Sequence, residues 1–170
     1  MAVKKVVLII HDVRSAHNVG SLLRTADGLG VQKVYFSGLT PYPEQTNDDR
    51  LPHIHQRASQ QIAKTALGAE SSVRSEHASD LGKLLRQLKN DGFQIIALEQ
   101  SPKSTQLQLF KSREDIALIV GSETAGLNMD DLSKCDLILE IPMLGHKESH
   151  NVAVAAAMAL YQIRFGKFMP

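Results

Sequence analysis

Glycine and polar side chains occur together in three short segments of the chain, residues 17–26, 118–127 and 139–152. In the second and third segments a strand-like apolar run gives way to the polar residues, as at the ligand-binding end of an open α/β sheet. Glycine at such a point lets a ligand approach the backbone closely. Asn, Arg, Glu and Ser side chains can orient the ligand by hydrogen bonds. These residue types therefore favour a binding site at the ends of strands.

The first segment predicts a loop that turns into a helix, with Asn18 placed to cap the N-terminus of the helix. Arg24 and Ser21, three residues apart, share one helical stripe. Asn18 and Arg24, six residues apart, do not. Two interpretations stay open from this segment alone: the two residues belong to a functional site, or they are an ordinary cap and an ordinary solvated arginine.

The second segment is a predicted buried strand that breaks into a polar, glycine-flanked turn after Val120. Glu123 in that turn is a candidate polar contact for a ligand. Ser122 as a nucleophile is disfavoured, because its surroundings lack the Gly-x-Ser-x-Gly spacing of a nucleophile elbow.

In the third segment a predicted strand stops at Pro142, whose missing amide proton leaves the following backbone free to line a pocket. An apolar helix is predicted to begin near Asn151. Ser149 or Asn151 could serve only as the cap of that helix, which is the alternative to a role in a site.

Other chemistries find little support in the sequence. Neither the glycine pattern of a dinucleotide site nor a phosphate-binding loop occurs. Two histidine pairs, His53 with His55 and His146 with His150, lie in predicted loops and lack the further ligands of a zinc site, so we expect no metal. Cys135 precedes a buried strand and is interpreted as a small core residue.

The elements that must position the three segments alternate between β-rich runs and helical stretches, which predicts an α/β fold with a mostly parallel sheet flanked by helices. The helix from Val152 to about Phe165 is apolar around most of its circumference, so either a second subunit or a central place in the monomer must cover it. Thr40 to Gln56, with three prolines, is predicted to be a long surface loop. The predicted strands are Val6 to Ile10, Lys33 to Phe36, Phe93 to Leu98, Ile116 to Val120 and Leu137 to Ile141, and the other predicted helices are Val19 to Leu29 and Asp80 to Leu88.

The chain of 170 residues, 43% of them hydrophobic, is predicted to form one domain, residues 1–170, with no appended RNA-binding domain. Its formal net charge of +1 does not by itself indicate a nucleic-acid partner. The single cysteine, the absence of a secretion signal and the lack of an apolar run of about twenty residues lead us to expect a cytoplasmic protein.

Taken together, the three segments resemble the signature motifs of the SpoU/TrmH family of the SPOUT methyltransferases. The resemblance extends over nearly the whole chain, and the motifs occur in the family's order. Their residues here are Asn18-x-Gly20-x-x-x-Arg24-x-Ala26, then Val120-Gly121-Ser122-Glu123-x-x-Gly126-Leu127, then Ile141-Pro142-Met143 followed by Ser149-x-Asn151-Val152.

The resemblance implies a C-terminal deep trefoil knot and the transfer of a methyl group from S-adenosyl-L-methionine to a ribose 2′-hydroxyl of RNA. It also implies a homodimer in which each active site borrows the first motif from the partner subunit. His150 stands where the family often has leucine, so local packing is expected to differ there. The implied donor-binding residues are Leu98, Glu99, Gly121, Ser122, Glu123, Ile141, Met143, Leu144, Ser149, Asn151 and Val152.

The residues implied for catalysis are Asn18, Arg24, Glu123, Ser149 and Asn151, and Arg14 and Arg24 are the implied RNA contacts. A guanidinium is nearly always protonated. We therefore favour a role in which Arg24 binds the RNA phosphate and stabilises the developing alkoxide, rather than one as a base. Compact family members tend to act on tRNA, so tRNA is favoured over rRNA. The alternatives are a noncatalytic RNA-binding or assembly protein on the same fold and a base-methylating SPOUT enzyme.

Overall fold

The apolar runs of the sequence become strands of one parallel sheet in the computed structural model, which describes residues 4–166. Within that part the sheet has seven strands in the order β3-β2-β1-β6-β4-β7-β5. The strands are β1 (Val6–His11), β2 (Lys33–Ser37), β3 (Ser75–Ala78), β4 (Phe93–Leu98), β5 (Thr105–Gln106), β6 (Asp115–Val120) and β7 (Leu137–Glu140).

The centre of the sheet is apolar on both faces, as a parallel sheet covered by helices requires. On one face, Leu8 of β1 pairs with Val34 and with Leu118. On the other face, Ile9 pairs with Tyr35 and with Ile119, and all these side chains are buried. The five predicted strands are all present. Their bounds differ by one residue in four cases: β1 and β2 extend to His11 and Ser37, β6 begins at Asp115, and β7 ends at Glu140.

The helices cover both faces of this sheet. On one face of the sheet, α1, α2, α3 and α6 pack against the strands. On the other face, α4 packs against the strands, and Leu132 of α5 packs beside it. The helices are α1 (Ala16–Gly28), α2 (Pro52–Ala66), α3 (Ala69–Ser72), α4 (Leu81–Asn90), α5 (Met129–Ser133) and α6 (Val152–Phe165), and a 3-10 turn spans Leu107–Leu109. In this part of the chain no helix has both the length and the apolar character needed to cross a membrane.

The predicted capping role of Asn18 is wrong. Helix α1 begins at Ala16, and Ser15 is its cap, because the Ser15 hydroxyl accepts a hydrogen bond from the backbone N–H of Asn18 at 3.3 Å. Asn18 therefore lies in the first turn of the helix. Its side chain is free to make contacts with other parts of the chain.

The predicted loop from Thr40 to Gln56 is wrong at its C-terminal end, because α2 begins at Pro52. Proline suits the first turn of a helix, where its missing N–H has no intrahelical partner. The two histidines expected in this loop, His53 and His55, accordingly lie in α2. The remaining loop is held by Arg50, whose guanidinium lies 3.5 Å from the ring centre of Tyr42 and forms an ion pair with Asp48.

Helix α6 is only partly covered within one chain. Its Ala156, Ala159 and Leu160 are fully buried against the sheet and α1, which agrees with a central position. Val154, Tyr161 and Phe165, however, are more than half exposed. The helix therefore presents a second apolar face.

Candidate active site

The second and third glycine-bearing segments meet at the carboxyl ends of β4, β6 and β7, where they enclose a cavity of about 510 Å³. That volume lies in the range of sites for small organic ligands. The cavity lies outside the carboxyl ends of parallel strands, as expected for this class of sheet. Of the residues that the sequence implied for donor binding, it is lined by Leu98, Glu99, Gly121, Ser122, Glu123, Ile141, Met143, Ser149, Asn151 and Val152.

The first segment reaches the rim of this cavity through Asn18. The Asn18 amide nitrogen donates to Oε1 of Glu123 at 2.8 Å, and the Asn18 amide oxygen accepts from Nδ2 of Asn151 at 3.1 Å. One side chain from each of the three segments thus joins a single line of hydrogen bonds, in the order Asn151, Asn18, Glu123.

The carboxylate of Glu123 also fixes the loop before α1. The backbone N–H groups of Arg14 and Ser15 donate to its two oxygens at 3.1 and 3.2 Å. Burial disfavours the charged carboxylate, but the hydrogen bonds from Asn18 and from these amides outweigh that effect, so the pKa of Glu123 lies below its ordinary value. Glu123 is therefore an anion that positions the first segment.

Asn151 has two roles at the start of α6. Its side-chain oxygen accepts from the backbone N–H groups of Ala153 and Val154, so it is the predicted cap of the helix. Its side-chain nitrogen makes the bond to Asn18. The predicted cap is therefore confirmed, and the same side chain also connects the third segment to the first.

The turn after β6 is possible only because residue 121 has no side chain. The turn closes by a bridge between Ser122 and Gly126, with the Gly126 N–H donating to the Ser122 carbonyl at 3.0 Å. A Cβ on Gly121 would lie 2.6 Å from the backbone carbon of Gly126, which is closer than atoms can pack. The glycine in the second segment thus allows two stretches of backbone to touch beside the cavity.

Glu99 lines the cavity, but its carboxylate is engaged by the chain itself. One oxygen accepts from the backbone N–H of Leu127 at 3.0 Å and the other from that of Gln100 at 2.9 Å. Glu99 therefore ties the loop after β4 to the turn after β6. The neighbouring Gln100 side chain donates to the carbonyl of Glu148 at 2.6 Å, which links the first of these loops to residues 141–151.

The loop between β7 and α6 offers unpaired backbone amides. Within residues 4–166, no N–H of residues 143–150 donates a hydrogen bond to another protein group. Met143 and Ser149 line the cavity, whereas Leu144, also implied as a donor contact, lies outside the lining and is 98% exposed. The loop can thus present amides to a ligand, but the Leu144 side chain points away from it.

Arg24 and Arg14 do not line the cavity of their own chain. Arg24 lies six residues beyond Asn18 on the exposed side of α1, and among the described residues its guanidinium has no hydrogen-bond or ion-pair partner. Arg14 contributes its backbone N–H to Glu123, and its side chain is exposed. The structure therefore brings Asn18, Glu123, Ser149 and Asn151 together and leaves the two arginines outside.

The sequence analysis did not assign several residues of the cavity wall. Ala155 belongs to α6, and its position one turn after Asn151 is the signal that could have placed it there. The others are Val120, Thr124, Ala125, Gly126, Glu140 and Glu148, most of them within or beside the recognised motifs. Among the described residues, no group of three or more His, Cys, Asp or Glu side chains is arranged to hold a metal ion.

Comparison with known proteins gives consistent matches over this fold. The model of the SpoU rRNA Methylase family matches residues 5–161. A protein of Staphylococcus aureus strain COL, named as a TrmH family tRNA/rRNA methyltransferase, is 31% identical over 157 residues, which are 92% of this chain and 57% of that protein. The chain thus spans little more than half the length of this relative.

Solved structures share the fold. The AdoMet-bound rRNA methyltransferase of Sinorhizobium meliloti superposes with a TM-score of 0.81 at 21% identity, covering 99% of this chain and 59% of that one. A structure described as an RNA 2′-O ribose methyltransferase has a TM-score of 0.76 at 25% identity, covering 95% of this chain and 56% of the other.

Proposed function

This chain belongs to the SpoU rRNA methylase family, and from that premise we propose that it transfers the methyl group of S-adenosylmethionine to a ribose 2′-hydroxyl of RNA. The observation that carries the proposal is the hydrogen-bonded line Asn151, Asn18, Glu123 at the rim of the cavity. It joins one polar residue from each family motif beside a space of about 510 Å³.

The cavity suits S-adenosylmethionine in size and in the chemistry of its walls. Leu98, Ile141 and Val152 offer apolar surface to an adenine ring. The unpaired amides of residues 143–150 and the backbone around Gly121 can bind its polar edges and the amino-acid end of the molecule. The Sinorhizobium structure with the same fold binds AdoMet, which supports this assignment.

The donor supplies an electrophilic methyl group: the ribose oxygen forms a bond to the methyl carbon as the carbon–sulfur bond breaks, S-adenosylhomocysteine leaves with the sulfur electron pair, and the hydroxyl proton passes to solvent water. The protein must hold the hydroxyl in line with that bond, which is a matter of orientation. Asn18, Ser149 and Asn151 are the polar side chains at the rim that can orient the ribose. The ionised carboxylate of Glu123 holds Asn18 in place by accepting its hydrogen bond.

Arg24 is assigned to the RNA phosphate and to the alkoxide that develops on the ribose oxygen. A guanidinium is nearly always protonated, so charge stabilisation suits it better than proton abstraction. Because Arg24 does not line the cavity of its own chain, its action requires a second copy. We therefore propose a homodimer in which Arg24 of one subunit serves the cavity of the other.

The exposed apolar residues of α6 support the dimer. The rings of Tyr161 and Phe165 contact each other in a tilted arrangement, with centroids 4.9 Å apart, and remain largely exposed in one chain. Beside them Leu107, Pro142 and Met158 line an apolar groove. A second subunit seated here would bury this surface and bring two active sites near one interface.

We also propose that the C-terminal part is knotted, with the loop after β4 and residues 141–151 as the crossing segments. Their contact through Gln100 and Glu148 supports this. Stretching the chain from both ends in a force measurement tests it. A knotted chain gives a contour length shorter than that of an open chain, and a full contour length contradicts the knot.

The substrate proposed is tRNA, with rRNA as the second choice, and we place the reaction in the cytoplasm. The experiment is to incubate the protein and labelled S-adenosylmethionine with tRNA and rRNA from cells that lack the gene, then to identify the methylated nucleosides by mass spectrometry. A 2′-O-methylnucleoside in tRNA is the expected product. A methyl group on a nucleobase would assign the chain to the base-methylating alternative.

Calorimetry with S-adenosylhomocysteine separates the enzyme from the noncatalytic alternative. The enzyme is expected to bind this product in its cavity. RNA binding without any binding of S-adenosylhomocysteine would indicate a protein that keeps the fold but not the reaction.

A further inference from the structure

Helices α1 and α2 lie side by side on one face of the sheet. The Thr65 hydroxyl of α2 donates to the His17 carbonyl of α1 at 2.8 Å. The two helices touch at Gly20, where a Cβ would overlap the backbone of Ile62. Their outward sides therefore form one continuous surface that starts at Asn18, on the rim of the cavity.

This outer surface of α1 and α2 carries basic side chains and very few acidic ones. Helix α2 contains no Asp or Glu over its 15 residues. The one acid of α1 is Asp27, at the far end, where it accepts a hydrogen bond from Ser72 at 2.8 Å. The exposed cationic and imidazole side chains of the two helices are His17, Arg24, His53, Arg57 and Lys64.

The α2 cations follow helical spacing. His53, Arg57, Gln60 and Lys64 recur every three or four residues, so they form one stripe along the helix. Arg57 and Lys64 are about 10.5 Å apart along the axis. Among the described residues neither has a hydrogen-bond or ion-pair partner, so both charges are available to a ligand.

We propose that the outer surface of α1 and α2 binds the sugar–phosphate backbone of RNA beside the target nucleotide, with Arg57 and Lys64 as phosphate contacts. This inference rests on the proposed function and adds the surface that holds the substrate. A row of fixed cations flanked by glutamines fits a polyanion that also offers hydroxyl groups. The stripe carries no apolar side chain, and the exposed Leu51 and Ile54 lie outside it.

The near-neutral composition of the whole chain does not oppose this surface. Binding to a polyanion depends on where charges lie: α1 and α2 carry Asp27 as their one acid, and Glu44 of the loop before α2 lies 3.4 Å from His55. In a dimer in which Arg24 of each subunit serves the other subunit's cavity, the α2 stripe would lie next to that arginine, on the side away from the cavity.

The test compares two double variants. Arg57→Gln with Lys64→Gln removes the proposed contacts, whereas Lys83→Gln with Arg86→Gln removes one lysine and one arginine that are equally exposed on α4, on the opposite face of the sheet. Glutamine preserves helix propensity, and thermal unfolding of both variants checks the fold. The probe is total tRNA from cells lacking the gene.

The α2 variant is expected to bind this tRNA on the order of tenfold more weakly. Its plot of log affinity against log salt should be less steep than that of the wild type by about 1.4, for the loss of two phosphate contacts. Its binding of S-adenosylhomocysteine and its rate at saturating tRNA should match the wild type. The α4 variant should bind tRNA as the wild type does.

Wild-type tRNA affinity and salt slope in the α2 variant, with normal methylation, would overturn this inference and leave the proposed function intact. An equal loss of affinity in both variants would overturn it too, since the contact would then be diffuse. Failure of the wild-type protein to methylate any RNA overturns the proposed function, and the inference falls with it.

Discussion

The side-chain nitrogen of Asn151 donates to the side-chain oxygen of Asn18 at 3.1 Å, although 133 residues separate the two in the chain. This bond joins the N-terminus of α6 to that of α1, and both helices begin at the ends of strands. Asn18 in turn donates to Glu123. A substitution at any one of these three residues should therefore alter the position of the other two side chains.

Replacing Asn151 separates its two roles. Asp keeps an oxygen for the N–H groups of Ala153 and Val154 but cannot donate to Asn18. We expect Asn151→Asp to unfold at nearly the wild-type urea concentration and yet to lose methyl transfer by on the order of 100-fold. Asn151→Ala should lose activity and also about 1 kcal/mol of stability. Wild-type activity in Asn151→Asp would show that the bond to Asn18 is dispensable.

Removing Arg24 should act on the reaction and not on the donor. We expect Arg24→Ala to lower kcat/KM for RNA by on the order of 100- to 1,000-fold, because a charge that stabilises the transition state is lost. S-Adenosylhomocysteine binding, measured by calorimetry, should be unchanged, since Arg24 is assigned to the RNA phosphate and to the developing alkoxide and not to the donor. Arg24→Lys serves as the control for charge and should recover part of the rate. An unchanged rate in Arg24→Ala rules out the assigned role.

Mixing subunits tests the shared site. A dimer of Arg24→Ala with Asn151→Asp has one cavity with both residues intact only if Arg24 acts across the interface. We expect mixtures of the two inactive variants to regain up to about one quarter of wild-type activity after subunit exchange, since random pairing makes about half of the dimers mixed. Mixtures that stay inactive after confirmed exchange contradict the sharing.

Glu123 should hold the first segment only while it is charged. Its lowered pKa means that the stabilisation is fully present above the ordinary glutamate pKa, about 4.3, and is lost as the pH falls through the lowered value. Glu123→Gln turns one acceptor into a donor that faces N–H groups, so activity should fall on the order of 10- to 100-fold at pH 7.5. Assays from pH 6 to 9 should show the same loss throughout, because the wild-type carboxylate is ionised over that range. A loss that appears only at one end of the range contradicts this role.

The Asp48–Arg50 pair should stabilise the loop before α2. The Arg50 side chain, despite the opposing effect of burial, holds the pKa of Asp48 far below its usual range, and the Asp48 side chain is only 4% exposed. We expect Asp48→Asn to cost about 1–3 kcal/mol at pH 7. The difference from the wild type should shrink below about pH 4, where the unfolded chain takes up the proton. Urea unfolding at pH 7, 5 and 3 measures it, and a pH-independent difference argues against the charged pair.

Cys135 should react slowly with thiol reagents. Burial raises the pKa of its thiol to about 11, so only about 0.1% is thiolate at pH 8. We expect alkylation by iodoacetamide at pH 8 to be at least tenfold slower than in the urea-unfolded chain, as followed by mass spectrometry. Equal rates in the two states contradict the partial burial of the thiol.

The sequence by itself determined the five inner strands, the three motifs and the family. Short apolar runs rich in β-branched residues, such as residues 116–120, indicate strands that are buried on both faces of a parallel sheet. The motifs could be recognised in the sequence because glycine, proline and capping residues have local conformational preferences. The apolar character of α6 was equally visible along the chain.

Only the tertiary structure decided which polar groups meet. Asparagine is a residue type that often caps helices, but Ser15 is the cap of α1. The Asn18 side chain instead forms hydrogen bonds with residues 105 and 133 positions away in the chain. Leu144 and Arg24 belong to motif regions yet lie off the cavity, because side-chain direction depends on packing and not on spacing. The edge strands β3 and β5 pair through backbone groups, so their polar side chains gave no sign of them. Long-range hydrogen bonds and backbone pairing are properties of the folded chain, and local sequence carries no record of either.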